Sequence, residues 1–75
     1  MDKYYLLSLL EEVIDRNRPL VPALLIRQEC KKSCKTSRLS NEILLKTKEF
    51  LDGKISVEKY QEFCGEVYYS LISSE

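Results

Sequence analysis

The sequence predicts an all-α protein, a small four-helix antiparallel bundle built from a single domain that spans residues 1–75. Apolar residues recur at three-and-four spacing in four segments, which prolines, glycine and polar residues separate. No segment alternates apolar and polar residues as a half-buried strand would. A chain of 75 residues has room for one small core, and a bundle buries four amphipathic stripes with short connections.

The first helix is expected from about residue 3 to residue 16, with Asp2 as its N-cap. Its apolar stripe follows the helical period and consists of Leu6, Leu7, Leu10, Val13 and Ile14. Pro19 ends this helix, because proline cannot continue it and pushes the preceding residue toward extended geometry. Leu20 and Val21 are then expected to cross the core as an extended segment.

The second and third helices are predicted from their apolar stripes and capping residues. The second runs from about residue 22 to residue 35, because Pro22 suits a first helical position where no amide hydrogen is needed. Its stripe is Ala23, Ile26, Cys30 and Cys34, broadened by Leu24 and Leu25. Ser40 or Asn41 caps the third helix, which continues to about residue 52. Its inward residues are Ile43, Leu44, Thr47, Phe50 and Leu51.

The fourth helix follows a tight connection at Gly53, which adopts the left-handed conformation without a Cβ penalty. Ser56 can cap the new helix, and Glu58 lies in its first turn, where the helix dipole favours a carboxylate. Its apolar face is Val57, Tyr60, Phe63, Cys64, Val67, Tyr68, Leu71 and Ile72. Glu58, Glu62 and Glu66 are spaced four apart, so they form a row on another side of the helix.

The composition argues against an enzyme. The chain has no histidine, so it lacks the usual proton shuttle and the commonest metal ligand. Its two glycines are too few for a glycine-rich phosphate loop. Acid pairs on open helix faces have nothing to raise their pKa values. We therefore expect no catalytic residue, no cofactor and no metal site.

The three cysteines are expected to be thiols, because they do not form a secreted disulfide framework and a zinc site would lack its fourth ligand. Cys64 lies on the apolar face of the fourth helix and is expected in the core. Cys30 and Cys34 lie one turn apart, and either core packing or surface exposure is open to them.

The sequence also predicts a cytoplasmic protein without membrane contact. The longest uninterrupted apolar runs are four residues, far short of a membrane span. Asp2, Glu11 and Glu12 interrupt the N-terminal region with negative charge, which is wrong for a signal peptide.

The net charge is zero, but the charges are segregated along the chain. Residues 16–38 contain seven basic residues against one acidic residue, and residues 49–75 contain six acidic residues against two basic ones. A charged partner can be steered by such a distribution. The candidate partner-binding residues are Asp52, Glu58, Glu62, Glu66 and Tyr69. The alternative is a basic patch made of Arg27, Lys31, Lys32, Lys35 and Arg38. A row of glutamates is also typical of a face that is merely solvated, and this interpretation stays open.

The segment FLDGKISVEKY at residues 50–60 resembles a phrase, F-L-x-G-x-I-S-x-x-x-F, of small helical bacteriocin immunity proteins of the colicin-D self-protection type. The segment LSNEIL at residues 39–44 is similar to another part of such proteins. The resemblance implies a cytosolic antitoxin, comparable to colicin or contact-dependent inhibition immunity proteins. Their toxins commonly cleave tRNA through cationic sites, which the immunity partners block with acidic side chains.

The predicted function is therefore an immunity protein that inhibits a cationic nuclease toxin through an acidic helix face. We expect the free protein to be a monomer or a weak dimer. Direct nucleic-acid binding is disfavoured, because the basic segment lacks interleaved aromatic residues. The alternatives are a small regulator that binds nucleic acid or a phosphoprotein through the basic patch, and a helical subunit of a larger assembly.

Overall fold

A computed structural model describes residues 3–33, 35 and 37–73 of the chain. Over these residues it contains four α-helices and no strand, which confirms the predicted all-α four-helix architecture. The helices are α1 (Lys3–Asp15), α2 (Leu20–Lys31), α3 (Arg38–Leu51) and α4 (Val57–Ser73).

The helices form a ring in which α1 packs on α2 and α4, and α2 packs on α3. The contact between α3 and α4 is the least extensive of the four. Gln61 bonds the carbonyl oxygens of Val13 and Arg16, whereas Tyr68, two turns further along α4, bonds Glu11. The partners thus move backward along α1 as α4 advances, so these two helices are antiparallel.

Tyr60 lies at the centre of the core and is fully buried. Its ring stacks on Phe50 with 4.5 Å between ring centroids, and its hydroxyl lies 2.8 Å from Oγ1 of Thr47. Burial raises the pKa of Tyr60, and it raises the pKa of Cys64 to about 12. Cys64 and Cys30 are therefore buried core thiols, whereas Cys34 lies outside the described residues.

The prediction for the start of α2 is wrong. Leu20 and Val21 are helical, and they are 51% and 60% exposed rather than crossing the core. Pro19 occupies the N-cap position, and its carbonyl oxygen accepts a hydrogen bond from the Ala23 amide at 3.1 Å. Pro22 then lies in the first turn, where the amide hydrogen that it lacks would have no helical acceptor. The helix also ends at Lys31, four residues before the expected end.

The predicted cap of α3 is also wrong. Ser37 is the N-cap, and its hydroxyl oxygen accepts a hydrogen bond from the Ser40 amide at 3.2 Å. Ser40 itself is buried, and the Ser33 hydroxyl donates to its oxygen at 2.9 Å. The α3–α4 connection is as expected, because Gly53 has a φ of +77° and Ser56 caps α4 through the Lys59 amide. The expected cap at Asp2 lies outside the described residues.

Several residues at the margins of the apolar stripes face differently from the prediction. Ile14, Leu24 and Ile72 are 39%, 41% and 41% exposed, although they were expected to face inward. Leu9 is buried instead, at 3% exposure. The helical period defines a wide stripe, and the contacts of α1 with both α2 and α4 decide which edge of it is covered.

Candidate functional site

The candidate site is the outward side of α4, which we call the acidic face and define as Glu58, Glu62, Glu66 and Tyr69. All three glutamates are exposed, and Tyr69 is 69% exposed. Buried residues on the opposite side of the helix direct this face to solvent; they are Tyr60, Cys64 and Val67. Tyr69 lies three residues after Glu66, so the two side chains are neighbours on the helix surface.

Two side chains of α4, Gln61 and Tyr68, form hydrogen bonds to α1 and to the residue after it, and these bonds fix how α4 is rotated about its axis. The Gln61 amide donates to the carbonyl oxygens of Val13 at 3.0 Å and Arg16 at 2.7 Å, which α1 leaves without helical partners. The Tyr68 hydroxyl donates to Glu11 at 3.2 Å. Glu62 directly follows Gln61 in the chain, so the two side chains point in different directions around α4. Because Gln61 contacts the end of α1, Glu62 points away from α1.

The glutamates of the acidic face are not engaged by cations of the described part of the chain. Within the described residues, no ion pair joins Glu58, Glu62 or Glu66 to a lysine or arginine. Three ion pairs lie elsewhere, each between residues three or four positions apart in the chain: Glu12–Arg16 at 3.6 Å, Glu29–Lys32 at 3.5 Å and Arg38–Glu42 at 3.7 Å.

Asp52, the remaining residue of the predicted site, occupies a different place. It is the C-cap of α3, where its amide donates to the Lys48 carbonyl oxygen at 2.9 Å. Its side chain is exposed in the α3–α4 connection, before α4 begins. The structure thus gathers the three glutamates and Tyr69 on one face and leaves Asp52 at the end of the neighbouring helix.

A groove between α3 and α4, which the helical periodicity did not predict, borders the acidic face. It consists of two depressions, of about 230 Å³ and 260 Å³, that share Lys46 and Phe63. We call it the α3–α4 groove, and its lining is Glu42, Leu45, Lys46, Glu49, Ile55, Lys59, Glu62, Phe63 and Glu66. Glu62 and Glu66 therefore belong both to the groove and to the acidic face. The signal in the sequence was Leu45, an apolar residue off the stripe of α3 that is 52% exposed.

The basic patch lies at the end of α2 and the start of α3. Lys31, Lys32, Lys35 and Arg38 are exposed, and Arg27 is half-buried. Two of these cations already have carboxylate partners of their own, since Lys32 pairs with Glu29 and Arg38 with Glu42. Ion pairs therefore partly neutralise the patch, whereas the glutamates of the acidic face form none within the described residues.

The described residues contain no cluster of histidine, cysteine, aspartate or glutamate side chains that could hold a metal ion. Among the four helices of the described residues, none has the length and apolar character needed to cross a membrane. The thiol of Cys64 is buried and has a raised pKa, so it remains protonated near neutral pH and packs as a small hydrophobe.

Comparison with protein-family models, curated proteins and solved structures gave no significant match. The relationship to colicin-D-type immunity proteins stays a prediction.

Proposed function

We propose that this protein is a cytoplasmic, non-enzymatic immunity protein that binds a nuclease toxin through the acidic face. The observation that supports the proposal is a row of exposed glutamates without ion pairs to lysine or arginine in the described part of the chain. A partner with a cationic surface gains charge complementarity at this face without displacing an internal ion pair.

The chemistry of the proposed target follows from the geometry of the face. Glu58, Glu62 and Glu66 are about one helical turn apart, or roughly 6 Å. A nuclease binds nucleic-acid phosphates with cationic side chains, and a linear row of carboxylates offers those side chains negative charges in place of phosphates. Occupation of that site would exclude the nucleic acid, including tRNA.

Tyr69 adds an aromatic contact to this electrostatic one. Its side chain is 69% exposed and adjoins Glu66. Tyrosine is enriched among residues that dominate binding energy, because its ring buries a large area at a small entropic cost. We assign association rate to the glutamates and much of the residence time to Tyr69.

The test uses the protein encoded beside this chain in the genome as the candidate toxin. Association and inhibition of tRNA cleavage are measured with the wild type and with the Glu62→Lys, Glu66→Lys double variant. The association rate is expected to fall by about tenfold or more, with unchanged helicity. A matched control compares the single reversals Glu62→Lys and Asp15→Lys, because Asp15 is exposed on α1 and its reversal changes the net charge equally outside the acidic face.

Unchanged binding and inhibition by the double variant would mean that the glutamates are only solvated. A salt-dependent shift of labelled tRNA or duplex DNA by the protein alone, lost when Lys31 and Lys35 are changed to glutamate, would favour the basic patch instead. A stable self-association in sedimentation would favour a subunit of a larger assembly.

A further inference from the structure

We infer that the α3–α4 groove receives an apolar side chain from a basic, amphipathic helix of the partner protein. This inference rests on the proposed function, because the groove shares Glu62 and Glu66 with the acidic face. It adds that recognition has an apolar anchor beside the charged row. It therefore specifies the surface of the partner, which must present an apolar residue flanked by lysine or arginine.

The groove is open to solvent and therefore fits a side chain better than a small-molecule ligand. Its two depressions, of about 230 Å³ and 260 Å³, each have room for a side chain, whereas a small-molecule site buries most of the surface of its ligand. Phe63, the wall that the two depressions share, is half-buried against the core. Leu45 and Ile55 add apolar surface to either side, so one or two aliphatic side chains could be covered there.

The packing of the bundle explains why this apolar surface is left open. The contact between α3 and α4 is the least extensive in the ring, and its central feature is the packing of Tyr60 on Phe50 and Thr47. Phe63 lies almost one turn beyond Tyr60 and reaches the groove. The gap between the two helices thus leaves room for a side chain from outside.

The charges around the groove indicate that the occupant carries positive charge. Four carboxylates line it against two ammonium groups, those of Lys46 and Lys59. One carboxylate, Glu42, is already paired with Arg38. Glu62 and Glu66 continue from the groove into the acidic face, so a helix seated on the apolar wall would meet negative charge along one side. Apolar anchors at helical spacing with basic flanks satisfy both surfaces.

The inference can be tested with synthetic helical peptides of about four turns. The first carries leucine anchors and lysine flanks, the second replaces leucine with alanine, and the third replaces lysine with glutamate. Each is titrated into isotope-labelled protein, and the methyl signals of Leu45 and Ile55 are followed by NMR. The leucine–lysine peptide is expected to shift these signals and to bind at least about tenfold more tightly than either other peptide.

Leu45→Ser provides the decisive variant, because Leu45 is 52% exposed and its replacement leaves the core intact. Leu20→Ser is the matched control, since Leu20 is 51% exposed on α2 and outside the groove. The first variant should weaken the leucine–lysine peptide by about fivefold or more, and the second should leave its affinity unchanged.

The outcomes separate this inference from the proposed function. If the alanine–lysine peptide binds as tightly as the leucine–lysine peptide and Leu45→Ser has no effect, the groove does not bind an apolar side chain. The proposed role of the acidic face is then unaffected. If the leucine–glutamate peptide binds equally tightly, or if the Glu62→Lys, Glu66→Lys double variant binds the leucine–lysine peptide as the wild type does, the inference that the occupant must be basic is wrong. Failure of all three peptides to bind overturns the inference. So does concentration-dependent dimerisation that shifts the same methyl signals, because a second copy would then occupy the groove.

Discussion

The hydroxyl of Tyr60 lies 2.8 Å from Oγ1 of Thr47, and both side chains are fully buried. This hydrogen bond joins α4 to α3 across the least extensive helix contact of the bundle. Buried hydroxyl groups need partners, and within the described residues no buried side-chain polar atom lacks one. The pair therefore helps to keep the acidic face on α4 oriented relative to the α3–α4 groove.

Thr47→Val is expected to destabilise the protein by about 1–3 kcal/mol, because it keeps the shape of residue 47 but leaves the buried Tyr60 hydroxyl without this partner. Tyr60→Phe in the same background should recover part of the loss. Urea unfolding of both single variants and the double variant gives the coupling energy. Additive effects would show that the hydrogen bond contributes no stability.

The two glycines should respond in opposite directions to alanine. A Cβ at Gly65 would meet nothing within 4 Å, so Gly65→Ala should stabilise the helix by about 0.5–1 kcal/mol. Gly53 has a φ of +77°, so Gly53→Ala should destabilise by about 1–2 kcal/mol despite equally open space. The midpoints of urea unfolding measure both, and a stabilising Gly53→Ala would contradict the backbone geometry described.

Stability should fall as the pH rises above about 9. The pKa of the Cys64 thiol is raised from 9.0 to about 12, so the unfolded chain loses this proton while the folded chain retains it. Below about pH 9 the contribution is fully present, and it is lost progressively toward pH 12 at up to about 1.4 kcal/mol per pH unit. Tyr60, whose pKa is also raised, adds to the loss above pH 10.

The measurement for this prediction is urea unfolding between pH 8 and pH 11. Cys64→Ala serves as the comparison, because it removes the thiol while leaving Tyr60 in place. The Cys64→Ala variant should be less stable than the wild type at neutral pH, because the substitution leaves a cavity in the core. Its free energy of unfolding should, however, decline less steeply between pH 9 and pH 10. Parallel curves for the two proteins would show that the thiol does not carry the effect.

Tyr69→Ala and the double reversal of Glu62 and Glu66 should impair partner binding in kinetically different ways. Loss of the exposed ring is expected to raise the dissociation rate, with about 2 kcal/mol lost in affinity. Charge reversal should mainly lower the association rate and reduce its dependence on salt. Surface plasmon resonance with the candidate toxin at two ionic strengths distinguishes the two, and Ser70→Ala is a suitable exposed control.

Much of the candidate site could be predicted because it depends on one helix. The Ser56 cap and Gly53 define where α4 starts, and the helical period then places Glu58, Glu62 and Glu66 together opposite the apolar face. These are interactions among residues within a few positions of each other. No knowledge of the neighbouring helices was needed to find the row.

The start of α2 and the cap of α3 were mispredicted because more than one local solution was available. Ser37, Ser40 and Asn41 are all good N-caps, and only the packing that buries Ser40 beside Ser33 selects Ser37. Proline is compatible with several positions in a first turn, so Pro22 did not define the end of the preceding loop. Tertiary contacts decided between alternatives of similar local energy.

The sequence by itself determined four amphipathic helices, their turn at Gly53 and the outward row of glutamates, because capping and periodicity act over a few residues. Only the tertiary structure decided that α3 and α4 touch least, that Ile14 faces solvent and that Leu45 and Phe63 border one groove. The second half of α3, the connection at Gly53 and the first turns of α4 separate Leu45 from Phe63 in the chain. Their proximity depends on how whole helices pack, which no local pattern specifies.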